Sequence, residues 1–375
     1  MIYELFYPLK NHYSWLSWLN VLRYIPFRTI MATITAMMLT FVLAPWFIRE
    51  LKRKQIGQVV RKEGPETHKV KAGTPTMGGA LILLSLLLPT ALWADLRNPF
   101  VLATTAVTAG YGVIGYLDDY LKIKRKNTGG LPGRYKLIGQ TLIGGAAVSY
   151  TFLFTSNLSD WADIKTRLAL PFAAFSKHAI ELPLWFYIPF AVFVVVAWSN
   201  AVNLTDGLDG LAIGPVMINA GTYLIWSYVA GATIASFSLA TYLDIPRIAS
   251  AGELAVYCGS VIGAGIGFLW YNTSPAQVFM GDVGALALGG GLGMLAVFTK
   301  NELLSVLLGG VFFVETISVM VQVTSFRLTG KRVFLMAPIH HHYEKKGWAE
   351  PKIIVRFWII SVLLALVSLA SMKLR

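Results

Sequence analysis

The sequence predicts an all-α membrane protein that crosses the bilayer about ten times and forms one domain over residues 1–375. Of its residues, 55% are hydrophobic and 14% are charged, and the mean hydropathy is +0.60. These values are typical of membrane proteins. Apolar stretches of about 20 residues, enough to cross a hydrocarbon core of roughly 30 Å, recur along the chain. The single cysteine, Cys258, excludes a disulfide framework and a thiolate metal site.

Hydropathy places the apolar stretches at regular intervals, and each is long enough to be a helix through the bilayer. The predicted spans are residues 25–48, 77–96, 99–121, 137–156, 184–203, 209–230, 253–271, 283–299, 303–326 and 354–373.

The basic residues indicate which loops face the cytoplasm. With their immediate flanks, alternate loops hold 21 of the 32 lysines and arginines: 49–76, 122–136, 200–210, 272–282 and 326–353. The positive-inside rule places these loops in the cytoplasm and both termini outside. The net charge of +13 therefore reflects membrane topology, and we predict no nucleic-acid partner.

Aromatic residues near the span ends fit the belts that tryptophan and tyrosine form at membrane interfaces. They include Trp185, Tyr187, Trp198 and Trp270.

The first polar motif is the pair Asp118-Asp119 at the end of the third span, just before Lys122. Adjacent carboxylates at a helix C-terminus oppose the helix dipole and repel each other. Ionisable groups are also costly in this position. The pair indicates metal or phosphate chemistry, and the alternative is a solvated pair that is neutralised by Lys122.

The second motif, residues 200–210, interrupts two apolar spans with Asn200, Asn203, Asp206 and Asp209. The spacing of three places neighbouring members on one face if the segment is helical, whereas the two Asp-Gly pairs favour turns. In either case, polar groups gather at the inner membrane surface. The alternative is a turn in which Asp206 caps a helix.

The third motif, residues 272–284, contains Asn272, Phe279 and Asp282. Asp282 directly precedes an apolar span, so capping of that helix is an alternative role. The predicted topology places Asp282 on the same membrane surface as the two earlier acidic motifs. That shared surface favours a common site.

The fourth motif is the run His340, His341 and His342 in the last inward loop. Successive residues point in different directions, and no cysteine or histidine lies at zinc-ligand spacing, so zinc is disfavoured. Imidazoles near neutral pH suit contact with phosphate, and an incidental polar loop is the alternative.

The acidic motifs indicate the cofactor. Carboxylates without thiolates favour a hard cation, and Mg²⁺ commonly binds one or two carboxylates together with substrate phosphates. Basic loops around an acidic centre are typical of phosphoryl transfer.

The ordered set of motifs resembles the phospho-N-acetylmuramoyl-pentapeptide-transferase family, within the polyprenyl-phosphate N-acetylhexosamine-1-phosphate transferase superfamily. The resemblance covers nearly the whole chain. Its pieces are residues 71–79, Asp118-Asp119, residues 200–210, residues 279–282 and residues 338–344.

The resemblance implies transfer of phospho-N-acetylmuramoyl-pentapeptide from its UDP conjugate to undecaprenyl phosphate, which yields lipid I and UMP in peptidoglycan synthesis. It also implies Mg²⁺, a homodimer, a bacterial inner-membrane location and a cytoplasmic active site.

By motif, the resemblance makes Asp282 the Mg²⁺ ligand, Asp118 the group that deprotonates or positions the lipid phosphate, and Asp119 an assistant to either. Contact with the uridine is implied for Asn203, Asp206 and Phe279, the ring of Phe279 by stacking on the base. Asn272 and Asp209 are implied to help line the same site, and Asn200 is implied to bind substrate. Contacts to phosphates or sugar are implied for Lys71, Thr76, Lys136, His340, His341 and His342. Direct attack by the lipid phosphate and a covalent aspartyl intermediate both remain open.

Two other functions were compared with this one. A transferase for N-acetylglucosamine-1-phosphate would keep the aspartates, but the 338–344 run favours the muramoyl-pentapeptide. A cation-coupled transporter would carry carboxylates near mid-span, whereas the acidic motifs here lie at one end of the spans.

Overall fold

The structure is a computed structural model that describes residues 2–11, 14–54, 73–125, 129–155, 158–234 and 237–373. Within these residues, ten helices of 15 or more residues coincide with the ten predicted spans. They are α1 (Ile25–Arg53), α2 (Gly79–Trp93), α3 (Pro99–Arg125), α4 (Gly133–Phe154), α5 (Leu184–Thr205), α6 (Ile213–Gly231), α7 (Leu254–Asn272), α8 (Gly281–Phe298), α9 (Gly310–Thr329) and α10 (Glu350–Ala370).

Eight of these helices are long and apolar enough to cross a membrane, all except α2 and α6. The protein is therefore an all-α, multi-pass membrane protein, as predicted. Short α-helices connect the long ones: Ile2–Phe6, Ser159–Ala162, Phe175–His178, Leu239–Leu243, Leu304–Leu308 and Ile339–Lys345. The 3₁₀ segments are Tyr7–Asn11, Ser14–Arg23 and Ala249–Glu253.

The described strands form only two small antiparallel hairpins. Arg167–Leu168 pairs with Ile180–Glu181, and Thr233–Ile234 pairs with Phe237–Ser238. Neither hairpin adds to the helical core.

Local sequence signals define the ends of several helices. Proline occupies the first turn of α1 and of α10, where its missing N–H costs nothing. Before α3, the Asn98 side chain accepts the backbone N–H of Phe100 at 2.9 Å, as expected of an N-cap. These signals place α3 so that its C-terminal end carries Asp118 and Asp119.

Helix α8 lies at the centre of the bundle and packs against both α3 and α5. Almost every residue of α8 is buried. Its glycines allow neighbouring backbones to approach closely, as small residues do between membrane helices. A Cβ at Gly293 would lie 2.7 Å from the Cα of Val195 on α5. This contact brings the C-terminal end of α5 beside the N-terminal end of α8.

Of the four aromatic residues predicted to lie at the membrane interface, two are exposed and two are buried. Trp185 and Trp270 are exposed, at 76% and 69%. Tyr187 and Trp198 are fully buried, and the Trp198 indole donates to Ser305 Oγ at 3.1 Å. The prediction was wrong for these two because span position alone does not show which helix face packs inward.

Candidate active site

Three carboxylates from two helices form one acidic cluster. Asp118 and Asp119 come from the last turns of α3, and Asp282 comes from the first turn of α8. One oxygen from each lies within 4.8 Å of the others. The helices meet because Gly115, one turn before Asp118, has no side chain: a Cβ there would overlap the backbone carbonyl of Asp282. Asp118, Asp119 and Asp282 therefore lie together, as the sequence predicts.

Two lysines bridge the acidic cluster. Lys122 Nζ lies 2.5 Å from Asp118 Oδ2 and 3.2 Å from Asp282 Oδ1. Lys136, from the first turn of α4, lies 3.0 Å from Asp118 Oδ1 and 2.7 Å from Asp282 Oδ2. Each lysine therefore balances carboxylates from both helices, which would otherwise repel each other.

Backbone amides also fix the aspartates. The N–H of Leu131 donates to Asp118 Oδ1 at 2.6 Å, and the N–H of Val283 donates to Asp119 Oδ2 at 3.3 Å. Such bonds to charged oxygens are among the stronger ones in proteins. They orient the carboxylates before any substrate binds.

The segment before α2 pairs with the segment before α8. Phe279 N–H donates to the Pro75 carbonyl, and Gly78 N–H donates to the Phe279 carbonyl, both at 2.8 Å. The pairing holds Thr76 over the cluster, since a Cβ at Gly281 would lie 3.0 Å from Thr76 Oγ1 and 2.5 Å from Asp119 Oδ2. Thr76 thus belongs to the site, while Lys71 falls outside the described residues.

The 200–210 motif begins as helix and ends in turns. Asn203 lies in the last turn of α5 and Asp206 follows it as the C-cap residue, so the alternative, in which Asp206 caps a helix within a turn, agrees with its position. The Asp206 carboxyl lies close enough to the backbone N–H of Gly281 to be stabilised by it. This proximity places the second motif beside the third at the start of α8.

Burial raises the pKa of the Asp206 carboxyl to about 8, and the negative charges of Asp282 and Asp119 add to the effect. The backbone N–H of Gly281 acts in the opposite direction, since it stabilises the ionised form. The side chain therefore carries a proton at neutral pH. A protonated carboxyl can both donate and accept hydrogen bonds, which suits it to a polar ligand.

Asp209 and Asn272 fix the loop that leads to Phe279. Asp209 Oδ2 accepts the N–H of Ala276 at 3.0 Å, and Asn272 Nδ2 donates to the Val278 carbonyl at 2.8 Å. Phe279 itself is half-buried. Asp209 and Asn272 are buried, so both organise the loop beneath the site.

Asn200 faces the helix bundle. Its carboxamide donates to Gln140 Oε1 at 2.9 Å and to the Val196 carbonyl at 2.8 Å. Gln140 is buried on α4 and also donates to Ser199. Asn200 therefore joins α4 to α5 in this structure.

The three histidines have three different partners, although the rings of His340 and His341 lie only 4.1 Å apart. His340 is buried beside Glu315 of α9, with Nδ1 3.1 Å from Oε1. His341 Nδ1 lies 2.6 Å from Glu344 Oε2. His342 Nδ1 accepts the N–H of Leu335 at 3.1 Å, and burial lowers its pKa from the usual value, with Lys346 adding to the effect.

Of the three, His340 lies against the second motif, because a Cβ at Gly207 would overlap its Nε2 atom. His341 and His342 are instead held by contacts within their own loop.

Three residues of this region were not among the predicted site residues. The sequence indicates Lys122 only as a neutralising charge, whereas in the structure it contacts all three carboxylates. Glu315 and Gln140 lie inside predicted spans and are fully buried. A charge within an apolar span is costly and often functional, and this signal could have identified Glu315.

The acidic cluster fits a hard divalent cation. It offers oxygen ligands from three side chains within a short radius, and described residues supply no thiol near it, since Cys258 is buried in α7. Oxygen-rich sites of this kind suit Mg²⁺. This donor set is compatible with Mg²⁺, and the cofactor stays a prediction.

Sequence comparisons identify the relatives of this chain. Residues 101–300 match the family model for glycosyl transferase family 4, and residues 71–83 match signature 1 of phospho-N-acetylmuramoyl-pentapeptide-transferase. Phospho-N-acetylmuramoyl-pentapeptide-transferases of Sorangium cellulosum, Anaeromyxobacter sp. strain K and Pelobacter propionicus are 88%, 56% and 53% identical, each over 100% of both chains. The chain belongs to the phospho-N-acetylmuramoyl-pentapeptide-transferase family.

Proposed function

We propose that this protein transfers phospho-N-acetylmuramoyl-pentapeptide from its UDP conjugate to undecaprenyl phosphate, forming lipid I and UMP in peptidoglycan synthesis. Full-length identity of 88% to a relative of that name supports the reaction. The observation that carries the site is the meeting of Asp118, Asp119 and Asp282 within 4.8 Å at adjoining helix ends.

Mg²⁺ is the cofactor that we assign to this cluster. Asp282 would be its principal ligand, with Asp118 or Asp119 beside it. When bound, the cation would neutralise the diphosphate and stabilise the charge that develops on the leaving UMP. The lysines at 2.5–3.4 Å from the carboxylates would then be free to contact phosphate oxygens.

The two anionic substrates would enter from different sides of the cluster. Asn203, Asp206 and Phe279 line the uridine side, where the half-buried ring of Phe279 can stack on the base. Asp118 lies between Lys122 and Lys136, a suitable place to receive the lipid phosphate. The chain would therefore act mainly by alignment and charge neutralisation.

The direct test is transfer of radiolabelled sugar from UDP-N-acetylmuramoyl-pentapeptide into a product that is extractable by organic solvent. We expect transfer and UMP release by the purified protein with Mg²⁺, and neither with EDTA. UDP-N-acetylglucosamine should give no product, which distinguishes the sister transferase. Asp282→Ala should abolish turnover and Asp118→Asn should nearly do so, whereas Cys258→Ala should remain active.

Robust UMP release by Asp282→Ala would refute the metal assignment and leave the reaction itself standing. Transfer from UDP-N-acetylglucosamine alone would instead refute the substrate.

We also propose an inner-membrane location, a cytoplasmic active site, outward termini and a homodimer. The sole cysteine is buried, so Cys258→Ala provides a background for accessibility labelling. Lys124→Cys should react with a membrane-impermeant maleimide only after the cells are opened, whereas Lys177→Cys should react in spheroplasts. The reverse pattern would invert the topology, and the oligomeric state follows from mass photometry in nanodiscs.

A further inference from the structure

Helix α9 carries an acidic residue that the proposed mechanism does not use. Glu315 is 0% exposed and lies within the apolar helix Gly310–Thr329. A carboxylate inside such a helix is costly and is retained mainly where it serves a function. The buried carboxylate of Glu315 is therefore expected to have a polar or charged partner.

That partner is His340, which is also 0% exposed. Its Nδ1 lies 3.1 Å from Glu315 Oε1, and its backbone N–H donates to Glu315 Oε2 at 3.4 Å. The carboxylate thus accepts a hydrogen bond from the backbone of His340 and lies at ion-pair distance from its ring, although neither Oε1 nor Nδ1 has a hydrogen bond of good geometry among the described residues. A carboxylate at Nδ1 favours a proton on that nitrogen and fixes the orientation of the ring.

The opposite edge of the imidazole faces the nucleotide loop. Nε2 has no hydrogen-bond partner among the described residues, and a Cβ at Gly207 would overlap it. Gly207 follows Asp206, whose carboxyl lies beside the backbone N–H of Gly281. An unpartnered, buried nitrogen therefore points at the loop that joins the acidic cluster to the uridine side.

The other two histidines differ in this respect. His341 pairs with Glu344 three residues away, and His342 accepts an N–H from Leu335 of the same loop. The contact of Glu315 with His340 connects a long apolar helix to the site.

We infer that Glu315 is a positioning residue for the transfer reaction: it holds His340 so that Nε2 accepts a hydrogen bond from a hydroxyl group of the UDP-sugar beside Asp206. This inference rests on the proposed function. With its proton on Nδ1, the neutral ring offers an acceptor at Nε2. Glu315 does not touch the substrate.

The test is a double-mutant cycle on kcat/KM for UDP-N-acetylmuramoyl-pentapeptide, with the thermal midpoint Tm measured in parallel. Glu315→Leu should lower kcat/KM roughly ten- to hundredfold, the loss typical of a missing partner that orients a histidine. Glu315→Gln, whose carboxamide oxygen can still accept from Nδ1, should recover much of that loss.

His340→Asn provides the decisive background. The side-chain amide of asparagine can still donate to Glu315, so the contact between the two positions persists. Asparagine has no atom in place of Nε2, so the acceptor for the substrate hydroxyl is lost. We expect His340→Asn to cost about as much activity as Glu315→Leu, and we expect Glu315→Leu to add little to it. Coupling in kcat/KM of this kind shows that the two residues act as a unit.

Glu302→Gln is the matched control, because Glu302 is a buried acid at the other end of α8. It should lower Tm and leave kcat/KM unchanged. The inference is overturned if Glu315→Leu loses the same factor in both backgrounds, or if it changes only Tm. If Glu315→Leu does not fold, Glu315→Gln replaces it in the cycle, and an equal loss in both backgrounds again overturns the inference.

A wild-type protein without UDP-sugar transferase activity would refute the proposed function instead. That result is distinguishable because it requires no variant.

Discussion

Lys122 on α3 lies 3.2 Å from the carboxylate of Asp282 on α8. The same ammonium group lies 2.5 Å from Asp118 and 3.4 Å from Asp119. One lysine therefore contacts three acids from two helices, and its positive charge offsets the repulsion among them.

Replacing Lys122 should impair the reaction strongly. We expect Lys122→Gln to lower kcat roughly a hundredfold, as removal of a charge stabiliser often does. The carboxylates would repel each other and the phosphates would lose a cationic contact. Lys124→Gln is the matched control, since Lys124 is exposed on the same helix. The measurement is label transfer at saturating substrate, and equal loss in both variants would contradict the assignment.

Gly281 is a second sensitive position. Its φ is +71°, and a Cβ would lie 2.5 Å from Asp119 Oδ2. Gly281→Ala should therefore lose more activity than backbone strain alone explains. That strain costs about 1 kcal/mol for a side chain at positive φ.

Gly330 provides a control in which an added Cβ causes backbone strain but no steric contact. Its φ is +69°, yet a Cβ there would meet nothing within 4 Å. We expect Gly330→Ala to lower Tm about as much as Gly281→Ala does, while kcat/KM is unchanged. If the two variants are equally active, the space that Gly281 leaves beside Asp119 is not needed for activity.

Gly207 provides a steric test of the nucleotide loop. A Cβ at this position would overlap Nε2 of His340, so Gly207→Ala should displace a buried ring and raise KM for the UDP-sugar at least several-fold. Gly145→Ala is the control, because no atom lies within 4 Å of a Cβ on that helical glycine. Steady-state kinetics decide, and an unchanged KM would argue against contact between this loop and the nucleotide.

The stability of the protein should depend on pH through Asp206. Its folded-state pKa of about 8 is raised from the ordinary 3.8. Between about pH 4 and pH 8, the folded state therefore keeps a proton that the unfolded state has lost. The free energy of unfolding consequently falls as pH rises through this range and levels off above it.

Asp206→Asn should remove this contribution, since a carboxamide does not titrate. The Tm of the variant relative to wild type should thus increase from pH 5 to pH 8. Tryptophan fluorescence on heating, in detergent with EDTA, measures the Tm of the variant and of the wild type. Parallel Tm curves would show that burial does not hold the proton on Asp206.

The sequence by itself determined the ten helices, their approximate ends and the four polar motifs, because hydropathy, proline and charge act over a few consecutive residues. Particular residues illustrate this: Asp118 and Asp119 lie at the end of α3, and Asp282 lies in the first turn of α8, as expected.

Only the tertiary structure decided which of these groups meet. The register of α3 against α8 depends on Gly115, and the role of Glu315 depends on a ring 25 residues away. It also turned Asn200 toward Gln140 and placed His340, unlike its two neighbours, beside Glu315 of α9. Such contacts arise from packing between helices that are distant in sequence, and hydropathy, which reports only whether a segment is apolar, does not contain that information.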